Sequence, residues 1–166
     1  MSPNGRTNVR PFVFPATIIT GPGEIMSGLT KPSDILREYV EPALSDYLQD
    51  PLSKFHANIL AGALDAHLEW TYRYYQEVDP SRLNGATLRS FRTDLLTQHR
   101  ALHVMSDLAD AADHRFLDRP RDPPRVVTSS TAAYYEQAGV LHVQGFNSPF
   151  SSEAGQAFEF WRNWRD

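Results

Sequence analysis

The stretch LSKFHANILAGALDAHLEWTYRYY, residues 52–75, decides the fold class. It contains no proline, and its apolar residues recur with helical spacing. At 100° per residue, Leu52, Phe55, Ile59, Leu60, Ala63, Ala66, Trp70 and Tyr74 fall on one side. Lys54, Asn58, Asp65, Glu69 and Gln76 fall on the other. The pattern predicts an amphipathic helix that buries the first set and wets the second. His56 and His67 travel with the apolar set, where an imidazole needs a hydrogen-bond partner.

Upstream, a helix is expected to begin at Ser33, whose hydroxyl suits the orphan amides, with Asp34 at the positive helix end. Leu36, Tyr39, Val40, Leu44, Tyr47 and Leu48 follow in helical register, and Pro42 should kink this helix or divide it in two. Asp50-Pro51 reads as a cap followed by proline at the first position of the next helix. Residues 1–32 read as an extended arm, because Pro3, Pro11, Pro15, Pro22 and Pro32 alternate with Gly5, Gly21, Gly23 and Gly28. Phe12, Val13, Phe14, Ile18 and Ile19 are apolar, so parts of the arm should lie against its own domain or a neighbouring subunit.

Downstream, Asp79-Pro80 and Asn84-Gly85 mark a connection. Helices are expected over 86–97 and 98–116, with a continuous helix as the alternative. Leu102, Met105, Ala109, Ala112 and Phe116 form the second one's apolar stripe, and His99, His103, Asp107, Asp110 and His114 its polar sector. Beyond Pro120, Val126-Val127-Thr128 and residues 140–144 read as strands of a hairpin over about 126–144, with Tyr134 and Tyr135 as a third strand. A last helix over 152–164 carries Ala157, Phe158, Trp161 and Trp164. The architecture inferred is mainly α: one helical-bundle domain over 33–166, with a small antiparallel β appendage near the C-terminus and a closing C-terminal helix.

The 166 residues suit one core, and 41% hydrophobic with 22% charged residues is ordinary globular usage. The absence of cysteine excludes disulfides, thiolate nucleophiles, iron–sulfur clusters and cysteine-ligated zinc. No apolar run approaches the roughly 20 residues of a membrane span, and the N-terminus lacks a signal-peptide core, so a cytoplasmic protein with no membrane partner is expected. A net charge of −4 disfavours a general nucleic-acid binder. The densest basic cluster, Arg115, Arg119, Arg121 and Arg125, is interrupted by Asp118 and Asp122 and reads as a solvated charged linker before a functional basic patch.

Two side-chain constellations carry chemistry. His99, His103 and Asp107 are spaced one turn apart and offer two imidazoles and a carboxylate to a divalent ion, against the plainer reading of a wetted helix face. Asp110 and His114 are also one turn apart, so the carboxylate could fix the imidazole's tautomer, or the pair could simply hold helices in register with His67. Trp70, Tyr72, Tyr74 and Tyr75 could stack bases or pack helices. Gly21-Pro22-Gly23 has no following lysine to make a phosphate loop, and Ser129, Ser130 and Ser151 lack a nucleophile-elbow pattern. No cofactor is implied.

His67-Leu68-Glu69-Trp70, the segment from Asp107 to His114, the segment from Pro32 to Tyr47 and Phe160-Trp161 together resemble small bacterial helical proteins of uncharacterised function that are similar to the HEPN superfamily. The resemblance implies a helical bundle that dimerises and, in active members, a metal-independent RNase. The active pattern is an arginine, a polar residue, three further residues and a histidine. His114 takes the histidine position and Asp110 the polar one, but Ala109 stands where the arginine should be. Alanine cannot stabilise the charge of a pentavalent phosphorane. A looser spacing of arginine, four to six residues and histidine is met by Arg92 and His99, and Arg115 and Arg119 are other candidates to replace the missing charge. The expectation is therefore a non-enzymatic interaction or accessory module acting as a homodimer, with His67, Asp110 and His114 as a buried polar cluster. The alternative is an RNase using a relocated arginine with His114.

Overall fold

A computed structural model describes residues 30–117 and 134–165, with side chains over 30–111 and 134–165. The chain is mainly helical. It enters through α1 (Pro32–Ile35), a π-helical turn (Leu36–Val40) and α2 (Glu41–Gln49), which run on without interruption. The start lies one residue before the expected Ser33: Pro32 occupies the first helical turn, and no side chain caps Lys31. Pro42 does not divide the helix. It has no N–H for the carbonyl four residues back, and the ladder shifts register just ahead of it, Glu41 N–H bonding the Leu36 carbonyl.

The cap of α3 (Lys54–Val78) is Ser53, whose hydroxyl accepts from the His56 amide at 3.2 Å; Asp50 instead closes α2. After a 3₁₀ turn (Pro80–Leu83), Asn84 and Gly85 both take positive φ, 47° and 75°, and reverse the chain. Thr87 and Ser90 then form a reciprocal capping box for α4 (Leu88–Gln98). His99 alone, in extended conformation, separates α4 from α5 (Arg100–Leu117), so the two helices are not continuous.

The sheet is antiparallel with order β1-β2-β3: β1 (Tyr134–Gln137), β2 (Val140–Val143) and β3 (Ser148–Pro149). Tyr134 opposes Val143 and Gln137 opposes Val140, which places Ala138 and Gly139 in a two-residue turn with φ of 53° and 72°. The hairpin is thus 134–143 rather than 126–144, and the expected strand at 126–128 lies outside the described residues. Tyr134, Leu141 and Val143 point into the core, where Phe150, the first residue of α6 (Phe150–Arg162), meets Tyr134 and Tyr47 edge to face.

The core is one cluster spread over α2, α3, α5, α6 and the sheet, with Leu60, Leu64, Val104, Met105, Leu108 and Phe150 among its fully buried members. α3 packs against α5, α6, α2 and α4, as a central helix must. A satellite of Tyr72, Tyr75 and Leu83 ties the far end of α3 to the C-terminus. There Tyr75 Oη donates to the Arg165 carbonyl and accepts from Trp164 Nε1 and Arg82.

The sequence pattern assigned the faces of α3 only in part: Leu60 is buried and Ala63 packs on the core as expected. The buried face is Ala57, Leu60, Ala61, Leu64, His67, Leu68, Thr71, Tyr72 and Tyr75. Leu52, Phe55 and Ile59, expected in the core, are exposed. The helix carries apolar residues on two faces, and the bundle uses the one with alanines at 57 and 61, which allow close approach. No described helix is long and apolar enough to cross a membrane.

Candidate functional site

A polar group set among α3, α4 and α5 is the most chemically distinctive part of the described structure. Asp65 sits on α3 just outside the apolar buried face. Arg92, one turn into α4, reaches across and donates to Asp65 Oδ1 at 2.6 Å and to Ser106 Oγ of α5 at 2.6 Å. Both ionic side chains are mostly buried, at 19% and 17% exposure, and Ser106 is fully buried. One guanidinium therefore bridges three helices.

Asp110, one turn beyond Ser106 on the same face of α5, is fully buried as well, although its spacing had placed it in the polar sector. Burial pushes the Asp65 carboxyl above its ordinary range; the Arg92 guanidinium opposes that, the Asp110 charge adds to it, and the Ser106 hydroxyl opposes it. Among the described residues, this cluster sets the Asp65 and Asp110 carboxyl groups beside the Arg92 guanidinium.

His67 is buried on α3, its ring edge-on to Trp161 of α6 at 4.7 Å. His114 lies within the helical span of α5, and its side chain lies outside the described residues. Eight residues separate Ser106 from His114, which is about 12 Å of rise along α5. Arg92, held at Ser106, is therefore displaced by two helical turns from the histidine position. Arg92 is bonded to Asp65 and Ser106, while the His99 ring packs on Phe160 at 4.3 Å. Arg115 and Arg119 also lie outside the described side chains.

The metal candidates are not brought together. His103 Nε2 lies 3.3 Å from Asp107 Oδ2 on the half-exposed flank of α5, while His99 turns to α6. Among the described residues no three histidine, cysteine or acidic groups converge to hold a metal ion. The aromatic set divides likewise: Tyr72 and Tyr75 are buried and the half-buried Tyr74 packs on their cluster, so these three pack helices rather than present a stacking platform. Trp70 is half-buried and donates Nε1–H to the Thr30 carbonyl at 3.1 Å.

Sequence reasoning missed the Asp65–Arg92–Ser106 bridge. The available signal was Asp65 itself, the one charge in the otherwise apolar run from Ile59 to Ala66. No family model matches the chain, and no curated protein and no solved structure matches it.

Proposed function

We propose that this chain is a HEPN-like helical-bundle protein that works as a non-enzymatic interaction or accessory module and forms a homodimer. The observation that carries the non-enzymatic part is the commitment of Arg92. Its guanidinium is engaged by Asp65 and Ser106, two turns of α5 away from the His114 position. Phosphodiester cleavage needs a cation free to meet developing negative charge, and an arginine neutralised by a buried carboxylate supplies little of that. Ala109, at the position the HEPN pattern gives to arginine, is an apolar residue buried on α5. The net charge of −4 adds a long-range penalty for a polyanion. The homodimer rests on the resemblance to HEPN proteins.

Purified protein incubated with mixed-sequence single-stranded RNA, beside a His114→Ala control, tests this reading. No cleavage above background is expected from either. Cleavage by the wild type that is lost in the variant would establish the RNase alternative. Sizing chromatography checks the dimer: elution at twice 18.8 kDa is expected, and a monomer at high concentration contradicts it.

A further inference from the structure

The outward face of α3 is apolar along most of its length. Leu52, Phe55, Ile59, Ala63, Ala66 and Trp70 follow one another at intervals of three or four residues, and those within the helix fall inside a sector of about 80°. That sector lies roughly opposite the face packed in the core. Leu52, Phe55 and Ile59 are 40%, 61% and 50% exposed, and Leu48 at the end of α2 is 63% exposed. Further along the row Ala63 packs on the core and Ala66 and Trp70 are half-buried, so the open part is the patch of Leu48, Leu52, Phe55 and Ile59. A cluster of large exposed apolar side chains marks a surface that something covers.

The structure also shows where the chain arrives. Thr30, the first described residue, accepts at its carbonyl from Trp70 Nε1, at one end of this row. The sequence preceding it carries Phe12, Val13, Phe14, Ile18 and Ile19, five large apolar side chains within eight residues. Trp70 and Phe55 are about 22 Å apart along the helix axis. The eleven residue-to-residue steps from Ile19 to Thr30 can span up to about 36 Å when extended, enough to lay Ile18 and Ile19 on Phe55 and Ile59 even with a turn at Gly21-Pro22-Gly23. A tether this short holds the segment at an effective concentration of order millimolar, which outcompetes the same segment of a second copy at ordinary protein concentrations.

We propose that residues 12–19 of the same chain dock on the outward stripe of α3, covering Phe55 and Ile59. The absence of native cysteine makes a direct test simple. A nitroxide on Thr17→Cys in the ¹⁵N-labelled full chain should abolish or strongly attenuate the amide signals of Phe55, Ile59 and Ala66. Adding Phe14→Asp and Ile18→Asp should restore them. In a mixture of ¹⁵N chains without the label and unlabelled chains carrying the nitroxide, those signals should keep full intensity. Unperturbed signals in the singly labelled chain would overturn the proposal, as would attenuation that survives the two aspartates. Equal attenuation in the mixture would overturn it in favour of a second copy as donor, a result that would instead support the homodimer.

Discussion

At the scale of single residues, the structure turns on charges placed largely out of water. Arg92 and Asp65 are both mostly buried, so removing one leaves the other without compensation. Arg92→Met and Asp65→Leu should each destabilise the fold by about 3 kcal/mol, measured by denaturant unfolding, while the double variant recovers most of the loss. The raised Asp65 carboxyl gives a pH signature with a defined sign. The folded state holds this proton to higher pH than the unfolded chain does. Its contribution to stability is therefore greatest below the unfolded carboxylate pKa and declines as pH rises through the folded value. Unfolding free energies of wild type and Asp65→Asn, compared between the ordinary carboxylate range and neutrality, should show the wild type losing ground relative to the variant as pH increases. A difference that is flat with pH contradicts this.

Asp65 also shows why residue-level reading failed here. Periodicity assigned it to the wetted side of α3, and within one helix that is the correct geometry. What turned that side inward was α4, which folds back through the Asn84-Gly85 reversal and brings Arg92 against it from 27 positions away. Local pattern has no access to that contact. The single carboxylate within the apolar run 59–66 was the trace it left in the sequence.

Among the elements, legibility followed the strength of local signals. The Asn-Gly reversal and the strand at 140–143 were readable because turn chemistry and β-branched or apolar runs act over a few residues. The Ser53 cap was missed in favour of Asp50-Pro51, since both offer the same chemistry three residues apart and packing chose between them. Pro42 was expected to kink or divide the helix, and the π-helical register shift that accommodates it has no sequence signature of its own. The β1–β2 turn yields an element-level prediction. Ala138 holds a positive φ of 53°, a conformation that costs a residue with Cβ about 1 kcal/mol. Ala138→Gly should raise the melting temperature, whereas Ala138→Val should lower it; the opposite order in a thermal scan would contradict the turn geometry.

For the whole molecule, the two-faced character of α3 is the organising fact. One face supplies the middle of the core against α5, α6 and α2, and the other exposes Phe55 and Ile59 beside Leu52. The mainly helical class, the small sheet and the closing helix were all legible, because apolar content and period suffice for those. The choice of face was not, since both faces of α3 satisfy the same period. The candidate site was legible only in part. His67 and Asp110 could be singled out as polar groups near the packed helices, but the arginine that organises the described cluster was noticed only in a spacing with His99 that the fold does not use. A molecule whose buried arginine ties three helices together should also unfold cooperatively, with helix and tertiary signals lost at one denaturant midpoint.

Arg92 is held in the fold by Asp65 and Ser106. A double-mutant cycle of Arg92→Met and Asp65→Leu, read by denaturant unfolding, tests this most directly. A coupling energy of about 2 kcal/mol or more is predicted. Additivity of the two changes within about 0.5 kcal/mol would contradict it.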